Sequence, residues 1–142
     1  AAEYLAGWQR ARADYENLRR EFEERLTHAS GTAQDTLFRN FLPILDYFET
    51  AVRQMPEDLR SHAWAEGIVQ IHQALRAFLK EADITPTGEI GLPFDPALHE
   101  TVAEETSDLP SGSITAVVAS GYLRNGRVLR PARVKVSKGT GL

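Results

Sequence analysis

Three observations predict an α+β chain with a long N-terminal helix, a helical hairpin and a small C-terminal all-β domain. Residues 3–42 contain no proline and are rich in Glu, Arg, Ala and Leu, all good helix formers. After Ala82, Pro86, Gly88, Gly91, Pro93 and Pro96 break any helix, and β-branched residues then dominate. Asn125-Gly126 sits between two such β-branched runs and is a hairpin signal, because both turn residues must take positive φ. The expected divisions are 1–42, 43–82 and 83–142.

The long helix carries an apolar seam. Tyr4, Trp8, Ala11, Tyr15, Leu18 and Phe22 recur at spacings of 4, 3, 4, 3 and 4, a heptad pattern. From Tyr15 the series Tyr15, Leu18, Phe22, Leu26, Ala29, Ala33, Leu37 has spacings of 3, 4, 4, 3, 4 and 4, an eleven-residue repeat. Such a repeat favours straight or slightly right-handed pairing. A helix of this length extends roughly 55–60 Å. The competing reading, a helix lying along its own domain, is the weaker one because too little chain remains to cover the stripe. The seam therefore predicts a parallel homodimer, with Trp8, Tyr15, Leu18, Phe22 and Leu26 against the partner chain. Ser30-Gly31-Thr32 interrupts the helix with poor helix formers. Gly31 reads either as a thermal weak point or as the place where two helices approach closely.

Pro43 lacks an amide donor and clashes with the preceding turn, so a break is expected there. A second helix is expected to run from it to about Met55, with Phe41, Leu45, Phe48, Val52 and Met55 on one face. Pro56 stops it, and Ser61 is the expected N-cap of a third helix. That helix carries Trp64, Ile68, Ile71, Leu75, Phe78 and Ala82 at spacings of 4, 3, 4, 3 and 4. Two antiparallel helices bury one layer between them. Two hairpins in a dimer would form a four-helix bundle that buries both stripes, through Leu45, Phe48, Val52, Ile68, Ile71 and Leu75. Gly67 would allow close packing in it. In the C-terminal part, strands are expected at 84–87, 101–105, 114–120 and 127–136. Pro131 predicts an edge or a bulge in the last of these.

The search for chemistry is largely empty. The chain of 142 residues has no cysteine, hence no disulfide framework, thiolate metal site or cysteine nucleophile. His28, His62, His72 and His99 lack metal-ligand spacing. No carboxylate pair marks general acid–base work, and no glycine loop is of phosphate-cradling type. Helical carboxylates read as solvent-facing charges, such as Glu16 with Arg20 four residues on. No enzyme activity, cofactor, metal or direct nucleotide binding is expected. No apolar run approaches the roughly 18–20 residues that span a bilayer, and a cytoplasmic address is expected. The net charge of −4 hides an asymmetry. Residues 83–108 hold seven acids and no Lys or Arg, whereas 124–138 hold six bases and no acid. The basic stretch lacks interleaved stacking aromatics, with only Tyr122 nearby, which argues against nucleic-acid binding.

One segment stands out. Leu92-Pro-Phe-Asp-Pro-Ala-Leu-His99 is followed by Ser120-Gly-Tyr-Leu-Arg-Asn-Gly-Arg-Val-Leu-Arg-Pro-Ala-Arg-Val-Lys-Val136. Phe94 and Leu98 can plug a small domain, Asp95-Pro96 starts a turn, and His99 can hydrogen-bond across it. The stretch resembles the GrpE family signature, in which an aromatic-Asp-Pro-x-x-His motif precedes a Gly-aromatic hairpin ending in Arg-x-Ala-x-Val-x-Val. Phe94, Asp95, Pro96, His99, Gly121, Tyr122, Gly126, Leu129, Arg130, Ala132, Val134 and Val136 supply it. Asp14-Tyr-Glu-Asn-Leu-Arg-Arg20, Phe41-Leu-Pro-Ile-Leu-Asp46 and Glu66-Gly-Ile68 are similar to the family's N-terminal half. Thr101 departs from it where Ala is usual. The family's acidic, flexible N-terminal segment is missing, and a natural N-terminus is expected ahead of Ala1.

The resemblance implies a dimeric, non-enzymatic nucleotide exchange factor. Its β-domain would insert against the ATPase lobes of a DnaK-type chaperone and release ADP. Position-matching implies contacts at Val118, Ser120, Tyr122, Asn125 and Arg127, with Arg19 and Arg20 on the long helix. Val118 reads equally well as a core strand residue, and the helical arginines as solvated charges. The resemblance also implies paired helices that slow exchange on heating. The alternative from another class is a dimeric coiled-coil adaptor that presents its β-domain to some other protein.

Overall fold

A computed structural model describes residues 1–141; Leu142, the last residue of the expected β-domain, lies outside them. The elements are α1 (Ala2–Arg53), a 3-10 turn (Glu57–Leu59), α2 (Ala63–Glu81), and six strands. The strands are β1 (Ile84–Thr87), β2 (His99–Glu105), β3 (Ile114–Ala119), β4 (Gly121–Arg124), β5 (Arg127–Arg130) and β6 (Ala132–Ser137). Two compact units result, Ala1–Leu37 and the chain from Phe38 onward.

The first unit is purely helical, and none of its residues is buried. Trp8, Tyr15, Leu18, Phe22 and Leu26 are all exposed within the single chain. Its charges pair along the surface, Arg12 with Glu16 at 3.3 Å and Arg19 with Glu23 at 3.2 Å. Glu16 thus pairs one turn back and not with Arg20, whose guanidinium donates to Asn17 Oδ1 at 3.2 Å.

In the second unit α1 runs through Pro43, where the sequence predicts a break. Arg39, whose carbonyl loses its amide donor at Pro43, and Pro43 itself are both exposed residues, so the defect lies on the open face of the helix. On the opposite side Leu42 and Leu45 are wholly buried, and this packing holds the helix continuous. The helix ends at Arg53, ahead of Pro56, which takes extended ψ of 144°. The following 3-10 turn hands on to further turn bonds, Arg60 N–H to Glu57 O and His62 N–H to Leu59 O. These keep Ser61 inside the turn. The residue at the N-cap of α2 is accordingly His62, with no side-chain capping bond, in place of the expected Ser61. At the other end Asp83 takes the left-handed conformation, φ 58°, and closes α2 through Asp83 N–H to Lys80 O.

The strands form two three-stranded sheets, ordered β1-β4-β5 and β2-β6-β3. The first is antiparallel throughout; in the second β2 runs parallel and β3 antiparallel to β6. The expected hairpin is present, with Asn125 and Gly126 at φ 50° and 78°, both positive as a type I′ turn requires. Its first strand is β4, however, and not the 114–120 run. That run ends at Ala119, and Ser120 carries the chain from one sheet to the other. The expected 127–136 strand is likewise two strands. Pro131, which cannot donate to a ladder, separates β5 from β6 where the chain crosses back, and β6 is central in its sheet.

Two cores follow. Leu42, Leu45, Leu79, Ile84, Tyr122 and Leu129 join the helices to the first sheet, with Phe38, Phe41, Leu75 and Ala82 around them. Ile114, Ala132, Val134 and Val136 form the second, capped by Phe94 and Val117. Along β6, Ala132, Val134 and Val136 are buried while Arg133 is exposed and Lys135 half-buried, the period-two alternation its sequence predicts. His99 closes the Asp95 turn, its Nδ1 accepting the Asp95 N–H at 2.9 Å. That bond places the neutral ring's proton on Nε2.

Candidate functional site

The residues expected to meet a partner occupy different places. Val118, in β3, is 49% exposed although Val117 beside it packs against the second core. Asn125 and Arg127 are exposed at the β4–β5 hairpin. Ser120 is half-buried at the crossing between sheets, where its carbonyl accepts the Arg130 Nε–H at 2.9 Å. Arg19 and Arg20 lie in the first unit, each engaged by a helix neighbour.

Tyr122 departs from expectation: it is 4% exposed and belongs to the core. Its ring packs with Leu42, Leu45 and Leu79, and the Arg130 guanidinium lies over it, 5.3 Å from the ring centroid. Burial pushes the Tyr122 phenol up to about 12; the Glu49 carboxylate adds to the rise and Arg130 opposes it. Tyr122 therefore supports the surface from beneath. Position-matching to the family named it as a contact, and an aromatic after glycine in a hairpin carries no sign of which face it takes.

The expected dimer residues also divide. Trp8, Tyr15, Leu18, Phe22, Leu26 and Ile71 are exposed, whereas Phe48, Val52, Ile68 and Leu75 are half-buried within their own chain. Phe48 stacks on His72, and His72 Nε2 lies 3.4 Å from Glu49 Oε1. Leu45 is fully buried, so its own-chain core consumes the surface it was expected to offer a partner. The α2 stripe behaves oppositely: Trp64, Ile71 and Phe78 stay open while Ala65 and Leu79 turn inward.

Sequence reading missed the polar tie between helix and sheet. Asp46 of α1 and Arg130 of β5 form a two-pronged ion pair, Nη2 to Oδ1 at 2.6 Å and Nη1 to Oδ2. The hydrogen bonds to Asp46 hold the Arg130 guanidinium above its ordinary value. One residue away, Arg39 Nε donates to the Leu129 carbonyl at 2.8 Å. Both partners of the ion pair stand in the quoted motifs, but 84 residues separate them and no periodicity connects them.

Among the described residues no group of three His, Cys, Asp or Glu side chains is placed to hold a metal ion. No helix of the described chain is long and apolar enough to cross a membrane. An open cavity of about 350 Å³, lined by Glu49, Arg76, Leu79, Ile84, Ser120 and Tyr122 among others, lies beside α2 and shares Arg76, Pro86 and Ser120 with a groove of about 720 Å³ reaching Phe94 and His99.

Comparison with known proteins matches residues 1–138 to the GrpE family. Protein GrpE of Aromatoleum aromaticum is 35% identical over 144 residues, covering 99% of this chain and 72% of that protein. Protein GrpE of Campylobacter curvus is 36% identical, covering 92% of this chain and 73% of its own length. Protein GrpE of Parageobacillus thermoglucosidasius is 32% identical, with 89% and 57% covered. The chain thus spans between 57% and 73% of these relatives' lengths. With the match running through both helices and both sheets, this chain belongs to the GrpE family.

Proposed function

We propose that the protein is a cytoplasmic nucleotide exchange factor for a DnaK-type chaperone. The family match over residues 1–138 carries this reading. In it the chain performs no chemistry and needs no cofactor. It binds the open, nucleotide-poor ATPase domain better than the closed one, so factor and ADP weaken each other's binding by linkage. The exposed Val118, Asn125 and Arg127 make the β-side contacts, with Ser120 at the edge and Tyr122 beneath. Arg19 and Arg20 add helical contacts. Acceleration of labelled-ADP release from the chaperone tests the reading.

The working form is a parallel homodimer in which residues 1–42 pair, 43–82 contribute to a four-helix bundle, and 83–142 engage the chaperone. Exposed Trp8, Tyr15, Leu18, Phe22 and Leu26 support the pairing, and exposed Trp64, Ile71 and Phe78 support the bundle. Apolar surface of this extent is rarely left open on a monomer. Sedimentation equilibrium at micromolar concentration is expected to give twice the 15.8 kDa chain mass. A mass of one chain would remove both the pairing and the bundle.

The paired helices also sense temperature in this reading. Gly31 lies within α1, and glycine there costs about 1 kcal/mol per helix relative to alanine. Gly31→Ala is expected to raise the first thermal transition in far-UV circular dichroism and to extend exchange activity to higher temperature. A lowered transition would instead assign Gly31 to close helix approach.

A further inference from the structure

The chain passes between its two sheets three times, through residues 88–98, at Ser120 and at Pro131, and the two short crossings, at Ser120 and then at Pro131, adjoin one side chain. Arg130 ends β5 immediately before the second of these two, and its Nε–H holds the Ser120 carbonyl of the first at 2.9 Å. Its two terminal nitrogens grip the Asp46 carboxylate on α1, and its face covers the buried Tyr122 ring of β4. One guanidinium therefore fastens a helix, a sheet and the junction to the other sheet. Both partners of the pair are only partly exposed, 20% for the Arg130 side chain and 33% for that of Asp46, so water screens it incompletely. A planar fork can satisfy a carboxylate with two nitrogens and a carbonyl with the third; a lysine ammonium cannot span both.

From this geometry we infer that Arg130, through Asp46 and Ser120, is a positioning residue that fixes the angle at which the β-sheets leave the helices. The inference rests on the exchange-factor reading. Exchange needs the factor to prefer the open ATPase domain over the closed one, and only a β-side surface held at a fixed angle can discriminate between two arrangements of the same lobes. A surface that pivots follows either arrangement and loses the discrimination. Arg130 thus sets the coupling between factor and nucleotide and touches neither the chaperone nor ADP.

The test measures affinity for the chaperone's ATPase domain twice, nucleotide-free and with saturating ADP, by fluorescence anisotropy of the labelled factor. The quantity read is the ratio of the two dissociation constants. Arg130→Lys is expected to lower that ratio at least about fivefold, a sizeable part of a typical allosteric coupling. Asp46→Asn, which keeps the side chain's size and one acceptor, is expected to act in the same direction and serves if the lysine variant folds poorly. A purely structural role would reduce the competent fraction equally in both titrations and leave the ratio unchanged. If the unaltered protein gives a ratio well above one and both variants retain it, Arg130 does not position the β-sheets. If the unaltered protein itself gives a ratio of one, the exchange-factor reading fails first.

Discussion

A protein carrying Val118→Asp together with Arg127→Glu is expected to lose chaperone binding by about a hundredfold or more while remaining a folded dimer. Val118 projects from β3 with half its surface open, so aspartate there is hydrated in the free protein and costs the fold little. In a complex the new carboxylate loses water without gaining a partner, a penalty of about 3 kcal/mol or more, or roughly a hundredfold in affinity. Arg127 opens β5 beside the hairpin turn, and reversing its charge adds repulsion wherever the partner surface is acidic. Neither position belongs to the two buried cores. Circular dichroism and sedimentation check that fold and dimer persist, and anisotropy reads the binding. Unchanged affinity in a folded double variant would move the contact surface away from β3 and the hairpin.

Gly121→Ala is expected to be the most damaging single-methyl change in the chain's β-sheets. A Cβ at this position would lie 2.3 Å from the Ala132 amide nitrogen, 2.3 Å from Thr87 Oγ1 and 2.9 Å from the Pro131 carbonyl carbon. Two of these are backbone atoms on the crossing between β5 and β6, so no side-chain rotation relieves the clash. Either β4 withdraws from β1, where Gly121 pairs with Thr87, or the crossing at Pro131 opens. The expected cost is about 3 kcal/mol or more, at the upper end for overpacking. Thermal unfolding followed by circular dichroism measures it. A midpoint lowered by less than about 2 °C would mean that the two sheets are not locked together at this glycine.

The sequence made the helices, the hairpin and β6 legible because each repeats a local rule. The α1 seam, the Asn125-Gly126 turn and the alternation of Ala132, Val134 and Val136 are short-range patterns. What it concealed depends on partners far along the chain. Pro43 reads as a break until Leu42 and Leu45 are seen buried on the other face of the same turn. The stretch 114–136 reads as two long strands until Ser120 and Pro131 are seen to carry the chain between sheets. The helical stripe gave Leu45 to a dimeric bundle and position-matching gave Tyr122 to the partner, and each instead fills the helix–sheet core. Asp46 and Arg130 were visible as motif residues, but neither spacing nor periodicity joins them. Val118, Asn125 and Arg127 were named by position-matching to the family; all three are exposed, and for Val118 the core-strand alternative is set aside by its open side chain.

The most direct test of the exchange-factor account is the release of a fluorescent ADP analogue from a DnaK-type chaperone, followed by stopped flow with unlabelled nucleotide in excess. The account predicts that adding this protein raises the release rate in a saturable manner, by at least about tenfold. The Val118→Asp/Arg127→Glu variant, folded and dimeric, should shift the response to much higher concentration. A release rate that stays at its basal value while the protein binds the chaperone would contradict the account and leave an adaptor that presents its β-sheets without opening the ATPase lobes.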